Sequence, residues 1–505
     1  MANPEDNQVR KVVIVGGGSA GWMTAAALSS LLSPRAVETA LVESDAIGTV
    51  GVGEATIPDI INFNALLGID EAEFLKATNG TFKLGIEFVN WSRLGESYFH
   101  PFGTHGADMQ GIDFHQFWMR TKAGDPQSRL EDYSLCSAAA MKDKFCLPQN
   151  DPRSVLSQIR YAYHFDATAY ARFLRDYAEK RGVKRQEGKI ESVAQNAENG
   201  FIESVTLDNG TTIEGDLFID CSGFRGLLQE ETLDVPYRDW SHWLPCDTAQ
   251  AVACERSGPL LPYTRSTATE AGWRWRIPTQ HRTGNGQIYS SAYMDDDAAR
   301  QSLLDGLDGK PLGEPRKIKF RTGCRERFWE KNCVAIGLSG GFLEPLESTS
   351  LYLIQEGISK LISLFPTADM PAIVQQQYNS LLTKKFEQVR DFIILHYKAT
   401  ERDDSPFWNY CRTMDVPDSL KERWELFEQA GRVFRFEDEL FSKTSWIAVF
   451  IGQNIIPRTV DPIASSVELP AIERSLASMK GAIAQAAERM PTHEAFIRRY
   501  APSGI

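Results

Sequence analysis

The first apolar run, Lys11–Val15, is β-branched and ends in a glycine cluster. Residues 22–32 follow with Ala and Leu and no helix breaker, so the pattern predicts strand, turn, helix. A second apolar run at 39–42 closes on Glu43 and completes a βαβ unit of roughly the thirty residues that a dinucleotide half-site takes. Residues 201–219 alternate apolar and polar around Asp208-Asn209-Gly210, which predicts a hairpin leading into a buried strand at 217–220. Another buried strand is predicted at 332–336, closed by the small-residue turn 337–341. From about residue 371 the texture changes to amphipathic stretches such as 373–397 and 420–434, and helix is expected to dominate. No repeat at solenoid spacing interrupts the pattern. The expected division is an α/β unit over 1–370 and a mostly helical region over 371–505.

Composition narrows the class. Of 505 residues, 42% are hydrophobic and 24% charged, an ordinary globular balance that excludes a disordered or fibrous chain. The net charge of -13 argues against a nucleic-acid partner. Residues 1–10 are polar without a signal core, and no stretch is apolar for the span of a bilayer, so a cytoplasmic, non-membrane protein is expected. The eight cysteines are scattered without Cys-x-x-Cys or Cys/His spacing, which points to reduced structural thiols and no metal site.

The glycine turn carries the first chemistry. Gly16, Gly18 and Gly21 match the needs of a tight turn, an open approach for pyrophosphate and close contact of helix with strand. Ser19 and Ala20 start the helix whose N-terminus meets the negative charge. Glu43, 22 residues after Gly21, is placed to accept from an adenosine ribose; without the motif it reads as a solvent-facing strand end. The strap 52–58, with Gly53, Glu54 and Ala55, and the distant turn at Gly337 and Leu338 add two more backbone approaches. Contacts returning from distant sequence suit embedded FAD better than an exchanging nicotinamide. The fold class expected is an FAD-binding, Rossmann-like α/β unit with a mostly helical C-terminal region.

Here the chain resembles the flavin-dependent tryptophan halogenases. The most specific piece is Trp273-Arg274-Trp275-Arg276-Ile277-Pro278, which fits that family's Trp-x-Trp-x-Ile-Pro pattern. The glycine turn with Trp22, the strap, Phe82-Lys83-Leu84-Gly85-Ile86 leading to Asn90-Trp91, Asp220-Cys221-Ser222-Gly223-Phe224-Arg225, and Phe342-Leu343-Glu344-Pro345-Leu346-Glu347-Ser348-Thr349 follow in the family's order. The resemblance implies Lys83 and Glu347 as catalytic, and a halide site at the Thr349 and Ser350 amides. It also implies FAD used as FADH2, reduced by a separate NAD(P)H-dependent flavin reductase. Ser350 stands where many members carry Gly. Taken alone, Lys83 reads as a surface cation snorkelling beside apolar neighbours, and Glu347 as a helix N-terminal carboxylate near a Ser348 or Thr349 cap. Chemically, a partly desolvated Lys can bind hypohalous acid or become a haloamine, and a carboxylate can remove a ring proton.

His100, Pro101 and Phe102 resemble the family's aromatic clamp, and Trp446 offers a second stacking ring; ordinary core packing explains them equally. Trp273 and Trp275 fall on one strand face at period two, as a wall beside the flavin or as core. Tryptophan-using members carry a tyrosine pair and a nearby acid, whereas residues 434–445 contain no Tyr. The expected reaction is therefore halogenation of an electron-rich arene, an indole in preference to free tryptophan, with chloride and bromide both open. A flavin-dependent aromatic hydroxylase and a non-catalytic flavoprotein remain the other readings.

Overall fold

The computed structural model describes residues 7–46, 53–122, 124–436 and 438–503; Val52 of the expected strap lies outside them. Lys11–Val15 lies inside a six-stranded sheet, and Val12 to Val15 are all buried, the two-sided burial that makes a parallel strand a continuous apolar run. It pairs in parallel with Glu38–Glu43 and with Leu217–Asp220. Lys184–Glu187 and Cys333–Ala335 extend the parallel set, and Trp329–Glu330 closes one edge antiparallel. Val15, Glu43, Asp220 and Ala335 therefore end at one side of the sheet, where open α/β sheets receive ligands. The hairpin forms as expected between Ile202–Leu207 and Thr212–Glu214, with Gly210 at φ 80°.

A seven-stranded sheet stands apart from the first. Its order is Arg316–Lys319, Thr248–Glu255, Arg282–Tyr289, Gly272–Pro278, Thr264–Thr269, Gly85–Val89 and Ser97–Pro101, with one parallel pairing, between Thr264–Thr269 and Gly85–Val89. Between the two sits a three-stranded sheet in which Ala162–Asp166 carries Gly53–Ala55 on one edge and Thr81–Lys83 on the other. Gly53 rests on the seven-stranded sheet: a Cβ there would touch Ile277 at 3.4 Å and the Gly284 backbone at 3.6 Å.

Helices dominate beyond 371, including Ala372–Lys398, Asp418–Ala430, Lys443–Gly452, Leu469–Arg489 and His493–Tyr500. The helix expected over 420–434 stops at Ala430 because Gly431 takes the left-handed conformation, φ 62°, that ends helices. Side chains from these helices join those of 1–370 in one hydrophobic core. All eight cysteines are free thiols, seven of them buried.

Candidate active site

The glycine turn meets three steric demands. Gly16 turns at φ 114° with the Cys221 carbonyl where a Cβ would be, and a Cβ on Gly21 would lie 1.8 Å from the Gly16 oxygen. A Cβ on Gly18 would meet nothing within 4 Å among the described residues, and the helix Ser19–Leu31 begins there with no side-chain cap and no acid in its first turn. Its first N–H groups, at Ser19 and Ala20, are thus available to an anion, which fits a dinucleotide pyrophosphate. Gly337, φ 84°, backs onto this turn, since a Cβ there would lie 2.8 Å from that of Ala20. Leu338 beside it is exposed. Gly17, which the motif spacing does not single out, leaves room for the Glu43 carboxylate; a Cβ there would overlap it. Glu43 accepts from Trp22 Nε1 at 3.2 Å and from Arg185, with Arg175 at 3.6 Å. The Asp220 carboxylate is fully used by Ser222, Leu228 and Gln229 N–H groups and the Ser222 hydroxyl, so it organises the turn after its strand.

Lys83 is completely buried, not a snorkelling surface cation. The Phe82 N–H donates to His493 Nε2 at 3.1 Å and the Phe82 ring stacks on Phe145 at 4.1 Å, which pins the strand that carries Lys83. Its Nζ donates to the Thr56 carbonyl at 3.0 Å and to Ser348 Oγ at 2.7 Å, and lies 5.1 Å from the Phe102 ring centre. Burial pulls the amine down to about 7 against the opposing pull of Glu347 and Glu54. Half-buried Glu54, on the far edge of the same small sheet, is pushed up to about 7 by burial, opposed by Lys83.

Glu347 is equally buried but ionised. Burial opposes its charge, yet His100 and His396 outweigh burial and hold it down at about 2. His100 Nδ1 lies 3.1 and 2.9 Å from its two oxygens. His396 Nε2 lies 2.7 Å from Oε1, off the straight hydrogen-bond line. Glu347 belongs to the short 3-10 turn Pro345–Glu347, followed by Ser348 at φ 60°, so it is no helix-capping carboxylate. The helix Ser350–Ser363 starts at Thr349, whose side chain makes no cap and whose Oγ1 is buried without a partner among the described residues. Ser350 shares a cavity lining with Gly337, Leu338, Phe342 and Leu343, which joins one of the two expected halide residues to the expected flavin turn.

Aromatic rings surround this pair. The His100 ring lies 5.7 Å from Phe392 and 6.5 Å from Phe441; Phe392 stacks on Phe441 at 3.7 Å and meets Trp446 edge-on at 4.8 Å. Pro101 is held by strand pairing opposite Gly85. Trp273 and Trp275 share a strand face with ring centres 6.0 Å apart, and Trp275 lies over Gly286. Trp273 Nε1 donates to Glu344 Oε2 at 2.8 Å, as does Tyr397 Oη at 2.6 Å. Consecutive residues of one helix, His396 and Tyr397, thus hold Glu347 and Glu344, both ends of one turn.

The sequence model described as tryptophan halogenase matches residues 11–468. The chain belongs to the tryptophan halogenase family. Its members are flavin-dependent oxidoreductases that halogenate aromatic compounds and use FAD. A flavin-dependent halogenase from Xanthomonas campestris superposes with a TM-score of 0.95 at 48% identity, over 98% of this chain and 99% of that one. One from Brevundimonas sp. BAL3 gives 0.95 at 45% identity, over 99% and 100%. The tryptophan 6-halogenase of Streptomyces toxytricini is 36% identical over 93% of this chain and 94% of its own.

Within this halogenase the structure brings Lys83, Ser348, Glu347, His100 and Phe102 together, and sets Phe392, Phe441 and Trp446 behind His100. Sequence reasoning missed His396, Tyr98, Phe392, Phe441 and Glu344. Glu344 lay in a quoted motif and carried a signal; the others sit in ordinary helical or strand patterns and carried none. Among the described residues no helix is long and apolar enough to cross a membrane, and no cluster of His, Cys, Asp and Glu could hold a metal ion.

Proposed function

We propose that this halogenase installs chloride or bromide on an electron-rich arene, an indole in preference to free tryptophan, through hypohalous acid delivered to Lys83. Bound reduced FAD, with O2, supplies the oxidising power that turns halide into hypohalous acid. Gly16, Gly18, Ser19, Ala20, Gly21, Glu43, Gly53, Glu54, Ala55, Gly337 and Leu338 would hold FAD, and Thr349 with Ser350 the halide. A separate flavin reductase supplies reduced flavin, in a cytoplasmic setting. The helices of 371–505 close the substrate side.

The observation that carries this reading is a wholly buried amine, brought near neutrality, bonded to the hydroxyl of the residue next to an ionised buried carboxylate. Near pH 7 such an amine is partly neutral, so it can take the halogen as N–X with loss of water, or hold hypohalous acid by hydrogen bonds. Glu347 then accepts the ring proton as aromaticity returns. Trp273 and Trp275 exclude the arene from the flavin side, so that oxidant and substrate meet only at Lys83. The test is mass spectrometry of indole, tryptophan and phenol panels with FADH2, O2 and either halide. Halogenated indole that disappears with Lys83→Ala, while FAD binding persists, is expected; halide-independent hydroxylated product would overturn it.

A further inference from the structure

Two side chains stand in line behind Glu347, and their hydrogen bonds have a direction. Gln453 Nε2 donates to the His396 carbonyl at 3.0 Å and so holds the backbone that carries the imidazole. Tyr98 Oη lies 2.8 Å from His396 Nδ1, and because the Glu347 carboxylate beside the other ring nitrogen can only accept, the tyrosine hydroxyl is the donor in this pair. An imidazole that accepts at Nδ1 and is neutral carries its proton on Nε2, the nitrogen 2.7 Å from Glu347 Oε1. The His396 ring is fully buried and stacked at 4.5 Å on Phe88, with Trp91 at 5.9 Å and Phe392 at 5.4 Å, surroundings that favour the neutral form.

We infer that Tyr98 and His396 form a directed hydrogen-bond chain that locks the His396 tautomer, so that an N–H always faces Glu347 opposite the one from His100. Tyr98 and His396 are positioning residues, and the inference rests on Glu347 being the carboxylate of the proposed reaction. The other groups facing this acid are His100 from strand Ser97–Pro101 and, through Ser348, Lys83 from strand Thr81–Lys83. Glu344 lies three residues before it, bonded to Trp273 and Tyr397. Without Tyr98 the imidazole can place its proton on Nδ1, and Glu347 then faces a lone pair. A carboxylate that loses a donor is held less firmly in the position from which it takes the ring proton, so the chemical step slows.

The experiment is a double-mutant cycle on indole halogenation by the full chain with supplied FADH2. Tyr98→Phe is expected to lower kcat roughly tenfold, with KM for indole and FAD binding unchanged. His396→Gln presents its amide N–H to Glu347 without help from Tyr98, so adding Tyr98→Phe to it should cost nothing further. Nitrogen NMR of 15N-histidine protein, with the His396 signal identified by its loss in His396→Gln, should show the Nε2–H tautomer, which becomes mixed in Tyr98→Phe. Unchanged kcat in Tyr98→Phe, equal losses in both backgrounds, or an Nδ1–H tautomer in the unaltered protein would overturn the chain. Glu347→Gln separates the two ideas: if it halogenates normally, the proposed role of Glu347 fails, whereas its inactivity beside a silent Tyr98→Phe sinks only the chain.

Discussion

A buried amine held near neutrality is a stored cost. Unfolded, Lys83 has the ordinary lysine affinity of 10.5; folded, burial brings it to about 7. The unfolded chain therefore binds more protons between those values, and stability rises as pH climbs from about 7 toward 10.5 while the full penalty stands below 7. Lys83→Met removes the penalty but leaves the Ser348 hydroxyl without its partner, so a net stabilisation of about 1–3 kcal/mol at pH 6 is expected, shrinking toward pH 10. Denaturant melts at the two pH values check this, and a variant no more stable than the parent at pH 6 would contradict it. A second expectation concerns Thr349, whose buried Oγ1 lacks a partner among the described residues. If a halide sits there, Thr349→Val should raise the halide KM roughly fivefold or more with FAD affinity unchanged, since one hydrogen bond to an anion is lost. Lys83 and Glu347 were legible because each lies in a motif. His396 and Tyr98 were not, because a buried histidine that serves a carboxylate 49 residues away has the same sequence context as one packed in a core.

Elements were legible where burial writes itself in apolar residues. Lys11–Val15 and Leu217–Asp220 are buried on both faces and read as continuous runs. The seven-stranded sheet left no such trace. Thr264–Thr269 and Arg282–Tyr289 bury Thr264, Ser266, Asn285 and Gln287, polar positions that periodicity assigns to solvent. Gly284 and Gly286 in the second strand exist to admit Gly53 and the Trp275 ring, needs set by partners hundreds of residues or a strand away. The same logic gives a prediction for the turn at Gly337. Gly337→Val places a branched side chain at φ 84° and against Ala20, so the turn must shift where it backs the first turn of the helix. FAD affinity should fall roughly tenfold or more, read by flavin fluorescence titration, while Gly313→Val, where a Cβ would meet open space, leaves it unchanged.

For the whole molecule, the decisive fact is that the helical region and the sheets share a core, so the aromatic rings behind His100 are placed by how the C-terminal helices pack. Among the described residues, the segment before Lys443–Gly452 supplies one acid to the aromatic cluster, Glu439, and that acid is fully committed. It accepts from Arg423 at 2.6 Å, from Trp446 Nε1 at 3.2 Å and from the Phe436 N–H at 3.1 Å, and the Arg423 guanidinium covers Trp446 at 4.1 Å. A free amino acid brings an ammonium and a carboxylate that must each find partners once dehydrated, and an unpaired buried charge is far costlier than a lost contact. With Glu439 already neutralised by Arg423, the ammonium finds no free carboxylate in this segment among the described residues, whereas indole brings only a ring and one N–H. The kcat/KM for indole should therefore exceed that for tryptophan at least tenfold in a direct competition followed by mass spectrometry. Equal halogenation of the two would mean that the Glu439–Arg423 pair opens to admit the amino acid.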